Sequence, residues 1–165
     1  MMTKLLALLL LLSSVCATSS CTSTASLGRL NLDENGVALH GYDPVSYHAK
    51  DGPARGTGRL TQTFDGAVYL FANEDNLTRF RRDPAYYAPL YGGWCAWAMV
   101  DGEKVDVDPK NFIVTPKGLF LFYKSFLIDT REKWLDGNPE ELAAKADAMW
   151  EKLEADWAHE HPGEH

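Results

Sequence analysis

Leu60-Thr61-Gln62-Thr63-Phe64-Asp65-Gly66-Ala67-Val68-Tyr69-Leu70-Phe71, followed by Ala72-Asn73-Glu74-Asp75, is the stretch that decides the fold class. Two β-prone runs flank an Asp-Gly pair, which tolerates the positive φ of a type I′ turn, so the stretch reads as a hairpin. Asn73 then serves as an N-cap, with Glu74 and Asp75 in the positive first turn of a helix. Leu77 and Phe80 share one face of that helix, Arg79, Arg81 and Arg82 complement its negative end, and Asp83-Pro84 stops it. A hairpin feeding a helix points to an α+β domain.

Downstream the same grammar repeats. Asn111–Thr115 and Leu119–Tyr123 form a second hairpin around Pro116-Lys117-Gly118, and Ser125 is expected to cap a short helix reaching Trp134. Asn138 caps a long final helix with Pro139 in its first turn. Leu142, Ala146, Met149, Leu153 and Trp157 repeat at helical spacing and are expected to pack on the domain's own sheet. Upstream, Val37, Leu39 and Val45–His48 read as short extended segments around a Gly41-Tyr42-Asp43-Pro44 turn. The expectation is a small α+β domain over 30–157, with two β-hairpins in an antiparallel sheet packed against a short helix and a long C-terminal helix.

At the other end, Lys4 precedes the apolar run Leu5–Leu12, and small polar residues follow from Ser13. That order matches a secretory signal, and eight apolar residues are too few for the roughly 20 that span a bilayer. Residues 1–25 are therefore read as signal peptide and tether, and the protein as exported, to a periplasm or to a membrane surface. Cleavage after Ala17 or Ala25 fits ordinary processing. Thr18-Ser19-Ser20-Cys21 loosely resembles a lipobox, in which Cys21 would carry a lipid and supply the sole membrane contact. Under most of these outcomes Cys95 is the one thiol left in the domain, which excludes an intrachain disulfide framework. The net charge of −7 and the lack of a basic stripe argue against nucleic-acid binding.

The segment Val37-Ala38-Leu39-His40-Gly41-Tyr42-Asp43-Pro44-Val45-Ser46-Tyr47-His48 resembles the opening motif of exported YHS-domain proteins. Tyr69-Leu70-Phe71-Ala72, Asn76, Phe80, Asp83-Pro84, Tyr87-Ala88-Pro89 and Tyr91-Gly92-Gly93-Trp94-Cys95-Ala96 continue the resemblance in order, and Ala144–Trp150 is similar to the family's closing segment. It spans about residues 30 to 150. The resemblance implies kinship with small heavy-metal-binding modules, and some exported members are described as selenoproteins. The metal-binding relatives carry cysteines at the positions that correspond to Ser46, Ala72 and Asn76, so their thiolate site does not transfer.

Three kinds of chemistry stay open on the residues. Cys95 with His40, His48 and Asp43 would supply thiolate, imidazole and carboxylate donors suited to copper or zinc. The alternatives are a thiol-redox protein acting through Cys95, and a non-catalytic module that binds a small ligand or a protein in an aromatic pocket of Tyr42, Tyr91, Trp94 and Trp97. A redox cycle would need a partner thiol, since the domain holds no resolving cysteine. No phosphate loop, nucleophile elbow or zinc-protease motif is present, so enzyme chemistry is not expected. The segment 158–165, with His159, His161 and His165, reads as a flexible His-rich tail able to hold divalent ions weakly.

Overall fold

A computed structural model describes residues 28–163. The leader reading, with Cys16 and Cys21, and His165 of the tail lie outside the described residues. Among the described residues two antiparallel hairpins and five α-helices make an α+β domain. The first hairpin pairs β1 (Thr57–Phe64) with β2 (Ala67–Phe71). Asp65 and Gly66 both have positive φ, as the type I′ reading requires. Helix α1 (Glu74–Arg82) follows, with the Asn73 side chain accepting from the Asn76 N–H, and α2 (Pro84–Tyr87) is a single turn restarted by Asp83-Pro84. Next come α3 (Ala96–Met99) and the second hairpin, β3 (Asp108–Thr115) with β4 (Gly118–Phe122). Helices α4 (Thr130–Asp136) and α5 (Pro139–Glu160) close the chain.

The hairpins do not join into one sheet; each is its own two-stranded sheet. The reason lies in β4. Leu119 and Leu121 point into a first core with Phe71, Leu77, Phe80 and Cys95, whereas Phe120 and Phe122 point into a second with Trp94, Met99, Trp134 and Ala146. All five residues of β4 are buried. Successive side chains of a strand face opposite sides, so a strand with no polar position has to be covered twice. The first hairpin and α1 cover one face, and α4 and α5 cover the other.

Where the sequence suggests short extended segments around Gly41–Pro44, the chain forms two 3-10 turns, Leu39–Gly41 and Ser46–His48. Their anchor is Asp43, whose carboxylate is fully buried. Its Oδ1 accepts from the N–H of Val45 at 2.9 Å and of Ser46 at 3.4 Å. Its Oδ2 accepts from the Ala72 N–H at 2.8 Å and the Asn76 amide at 2.7 Å. One side chain thus fixes the turn and ties it to the end of β2 and the start of α1. A second close approach holds the strand that enters the domain. The Asn31 N–H donates to the Gly92 carbonyl at 2.8 Å, and a Cβ on Gly92 would meet Trp150 at 2.9 Å and the Arg29 carbonyl at 3.0 Å. Replacing Asp43 by Ala would strand three donors, the Val45 and Ala72 N–H groups and the Asn76 amide, while the Ser46 N–H keeps the main-chain carbonyl of residue 43 at 3.1 Å. A buried donor without a partner costs about 1–3 kcal/mol, so Asp43→Ala is expected to lose at least about 3 kcal/mol in chemical denaturation. A loss within about 0.5 kcal/mol, the range of ordinary surface substitutions, would refute this role.

Candidate functional site

Of the four side chains suggested as metal ligands, Cys95, Asp43 and His40 are hydrogen-bonded elsewhere, and His48 packs on aromatic rings with its buried Nε2 lacking a partner among the described residues. Cys95 is 0% exposed. Its Sγ accepts from the Tyr123 N–H at 3.3 Å and lies 3.4 Å from the Thr130 hydroxyl. That hydroxyl already donates its one proton to the Tyr123 carbonyl at 2.9 Å. That leaves the Thr130 oxygen to accept from the Cys95 thiol. A metal ligand or a redox nucleophile has to be a thiolate. Asp43 spends its oxygens on the four donors described above.

His40 lies near the surface, its Nε2 2.9 Å from Asp106 Oδ1, which also accepts from the Asn31 amide and the Val107 N–H. Burial works to raise the Asp106 pKa, but these donors outweigh it and the carboxyl sits below its ordinary value. His48 rests against the rings of Tyr86 and Tyr87, at 4.9 and 5.1 Å between centroids, and burial lowers its pKa. Among the described residues no three His, Cys, Asp or Glu side chains converge to hold a metal. The expected centre of Cys95, His40, His48 and Asp43 is not assembled, because the thiol and the Asp43 carboxylate serve the interior while the imidazoles pack separately. Three positions that the resemblance would align with cysteines do come together. Ser46, Ala72 and Asn76 surround Asp43, but as hydrogen-bond donors: the Ser46 hydroxyl reaches the Asp43 carbonyl at 2.6 Å.

The suggested aromatic pocket is likewise packed. Tyr42 and Trp94 are core residues; the Arg55 guanidinium lies 4.3 Å over the Tyr42 ring and the Trp94 indole donates to the Arg29 carbonyl. Trp97 is half-buried between the two cores. Tyr91 lines a cavity of about 220 Å³ with Tyr69 and Trp150, and its hydroxyl donates to Asp147 at 2.9 Å. A larger hollow of about 660 Å³ lies between residues 28–32, the Asp65-Gly66 turn and the end of α5. Its charges satisfy one another, Arg29 bridging Asp65 at 2.6 Å and Glu154 at 3.0 Å. The tail is shorter than expected, since α5 includes Ala158, His159 and Glu160, and His161 stacks on Trp157 at 3.8 Å.

The feature that stands out is one the sequence reading assigned to a helix. Ser125 caps nothing; Asp129 caps α4, its Oδ1 accepting from the Arg131 N–H at 3.0 Å. Residues 125–128 instead form a tight turn off the end of β4. The Ser125 N–H donates to the Ile128 carbonyl at 2.8 Å, the Ile128 N–H to the Ser125 hydroxyl at 3.2 Å, and Lys124 pairs with Asp129 across the base. Phe126 is 100% exposed, Leu127 85% and Ile128 43%, with Leu135 of α4 at 56%. The signal for this turn was present: Asp129 followed three residues later by Glu132 is the spacing of a capping box, which moves the helix start past the Phe-Leu-Ile run.

The tip is held from below by three elements. Asp129 Oδ2 accepts from the Lys124 ammonium at 2.7 Å and Oδ1 from the Asn111 amide of β3 at 2.8 Å, while the Thr130 N–H donates to the Tyr123 carbonyl at 3.1 Å. Burial alone would raise the Asp129 pKa, but Lys124, Asn111 and the Arg131 N–H pull it down to about 2. Cys95 belongs to the same base, through Thr130 and Tyr123. No helix among the described residues is long and apolar enough to cross a membrane. A scan of the chain against protein-family models, curated proteins and solved structures finds no match.

Two outcomes follow from this base. A carboxylate with a depressed pKa adds stability that is present above its unfolded value of 3.8 and is lost as pH falls toward the folded value of about 2. Melting temperature should therefore drop across that window, and Asp129→Asn should flatten part of the drop; an identical acid limb in the variant would contradict it. For Cys95, a maleimide should label the thiol only on unfolding, and any zinc or copper bound should be unchanged in Cys95→Ser by elemental analysis. Fast labelling of the native protein, or loss of bound metal in the variant, would restore the thiolate reading.

Proposed function

We propose that this chain is an exported, non-catalytic docking module that inserts the Phe126–Ile128 tip into an apolar pocket of a partner protein. The observation that carries the reading is the contrast between the tip and its support. Large apolar side chains face water at a turn closed by hydrogen bonds between Ser125 and Ile128 and pinned at its base to β3 and to the start of α4. Contiguous exposed apolar residues on one ordered feature mark interaction sites more often than scattered ones do. A backbone turn already closed leaves only side-chain rotamers to be ordered on binding, which lowers the entropy cost of an aromatic anchor. Each apolar side chain of this size gains about 1.5–3 kcal/mol on burial.

A protein pocket fits better than a lipid surface. The chain carries a net charge of −7, and the base of the tip mixes Lys124 and Arg131 with Asp129 and Glu132, so it has no basic excess to draw it to anionic lipid. The Cys95 sulfur is fully buried and engaged with the Tyr123 N–H and the Thr130 hydroxyl, which favours a binding role over a thiol-based reaction. The test is a photoreactive benzoylphenylalanine at position 126 in cells expressing the protein, with position 151 of α5 as control. A discrete adduct is expected at 126 alone, weakened about tenfold by Leu127→Asp, in line with loss of a hot-spot contact. No adduct at 126, or the same products from both positions, would overturn the reading.

A further inference from the structure

We infer that the aromatic cavity between β2 and α5 binds a small quaternary ammonium compound, at a site separate from the tip. The cavity measures about 220 Å³ and is partly open to solvent. It is smaller than the roughly 300–1,000 Å³ of pockets for drug-sized ligands, which limits an occupant to a few heavy atoms. Its walls are aromatic: Tyr69 comes from β2, Tyr91 from the turn after α2, and Trp150 from α5. The Tyr91 and Trp150 ring centroids are 6.5 Å apart, with the ring planes at 65°. A group in the angle between them can lie within the about 6 Å of both centroids at which a ring's negative face attracts a cation. The Tyr91 hydroxyl donates to Asp147 at 2.9 Å, which pushes electron density toward the ring. Gly92 lets the indole of Trp150 close on the backbone, since a Cβ there would meet it at 2.9 Å.

The carboxylates decide which kind of cation fits. Asp65, Asp147 and Glu154 line the cavity together with one guanidinium, that of Arg29. Arg29 takes Asp65 and the Oε2 of Glu154, while Asp147 is shared between Tyr91 and Lys117, which is not part of the lining. Lys104, held at the Gly28 carbonyl, brings the wider charge count to balance. The attraction is therefore local to the rings and to Glu154, not a net field. Glu154 Oε1 is buried with no hydrogen-bond partner among the described residues. A primary ammonium brings three N–H donors and finds most of these carboxylate oxygens taken, and unmet donors in a half-closed cavity are costly. A quaternary ammonium has no N–H to satisfy. Its charge acts on the shielded Oε1 through space, and its methyl groups meet the rings as apolar surface.

The experiment is calorimetric titration of the whole protein with choline. Two comparators run beside it: the neutral isostere in which a tert-butyl group replaces the trimethylammonium, and the primary amine ethanolamine. Choline should bind about tenfold or more tighter than either. Trp150→Leu keeps an apolar wall but removes a π face, so it should bring choline and the isostere to within about twofold of each other. Glu154→Gln keeps the shape of the side chain and should weaken choline several-fold while leaving the isostere unchanged. Melting temperatures check that both variants fold, and Glu154→Gln with the comparators decides the matter if Trp150→Leu does not. Phe126→Ser should bind choline as wild type does, which separates this site from the tip. No choline binding up to about 10 mM, equal affinity for the isostere, or a charge preference indifferent to both cavity substitutions would overturn the inference.

Discussion

Burial of β4 on both faces is the constraint from which the rest of this structure follows. Gly118-Leu119-Phe120-Leu121-Phe122 has no polar position to turn toward water. Two separate layers must therefore cover it, and the domain divides into a core under the first hairpin and a core under α4 and α5. Burying side chains on both faces of a strand leaves its end rigid. The chain emerging at Tyr123 is held by the Cys95 sulfur and by Thr130, and Asp129 locks the return. The apolar tip stands on that platform.

The same arrangement accounts for the fate of the conspicuous residues. Cys95 is the only thiol of the described domain, and its work is to receive one backbone N–H and give its proton to Thr130. Asp43 gathers Ser46, Ala72 and Asn76. Around it they act as donors to a carboxylate, a pattern that needs no metal to hold the turn. In both cases a residue type suggestive of chemistry is used to fix a backbone path.

Much of the architecture was legible because its signals are local. Asp65-Gly66, Asn73, Asp83-Pro84 and Asn138-Pro139 each specify a turn, a cap or a stop through their own backbone and side-chain chemistry, and each does so in the structure. The α5 stripe also packs inward, with Ala146 fully buried and Leu142, Met149 and Leu153 partly so. Two things were not local. Whether two hairpins share a sheet depends on what covers β4, and periodicity does not report that. The tip was hidden because Ser125 and Asp129 are both acceptable caps; the choice between them is made by Asn111 and Lys124, one of which lies on another strand. The four candidate metal ligands do not converge among the described residues for a related reason, since composition lists donors without saying which are already occupied.

The central physical claim is that an exposed apolar turn is held as stiffly as the core beneath it, and backbone ¹⁵N relaxation tests it most directly. The account predicts order parameters for the Phe126 and Leu127 amides near those of rigid backbone, about 0.85. Values below about 0.6, as found in flexible loops, would contradict it, because a tip that samples many shapes in solution is not prepared to dock.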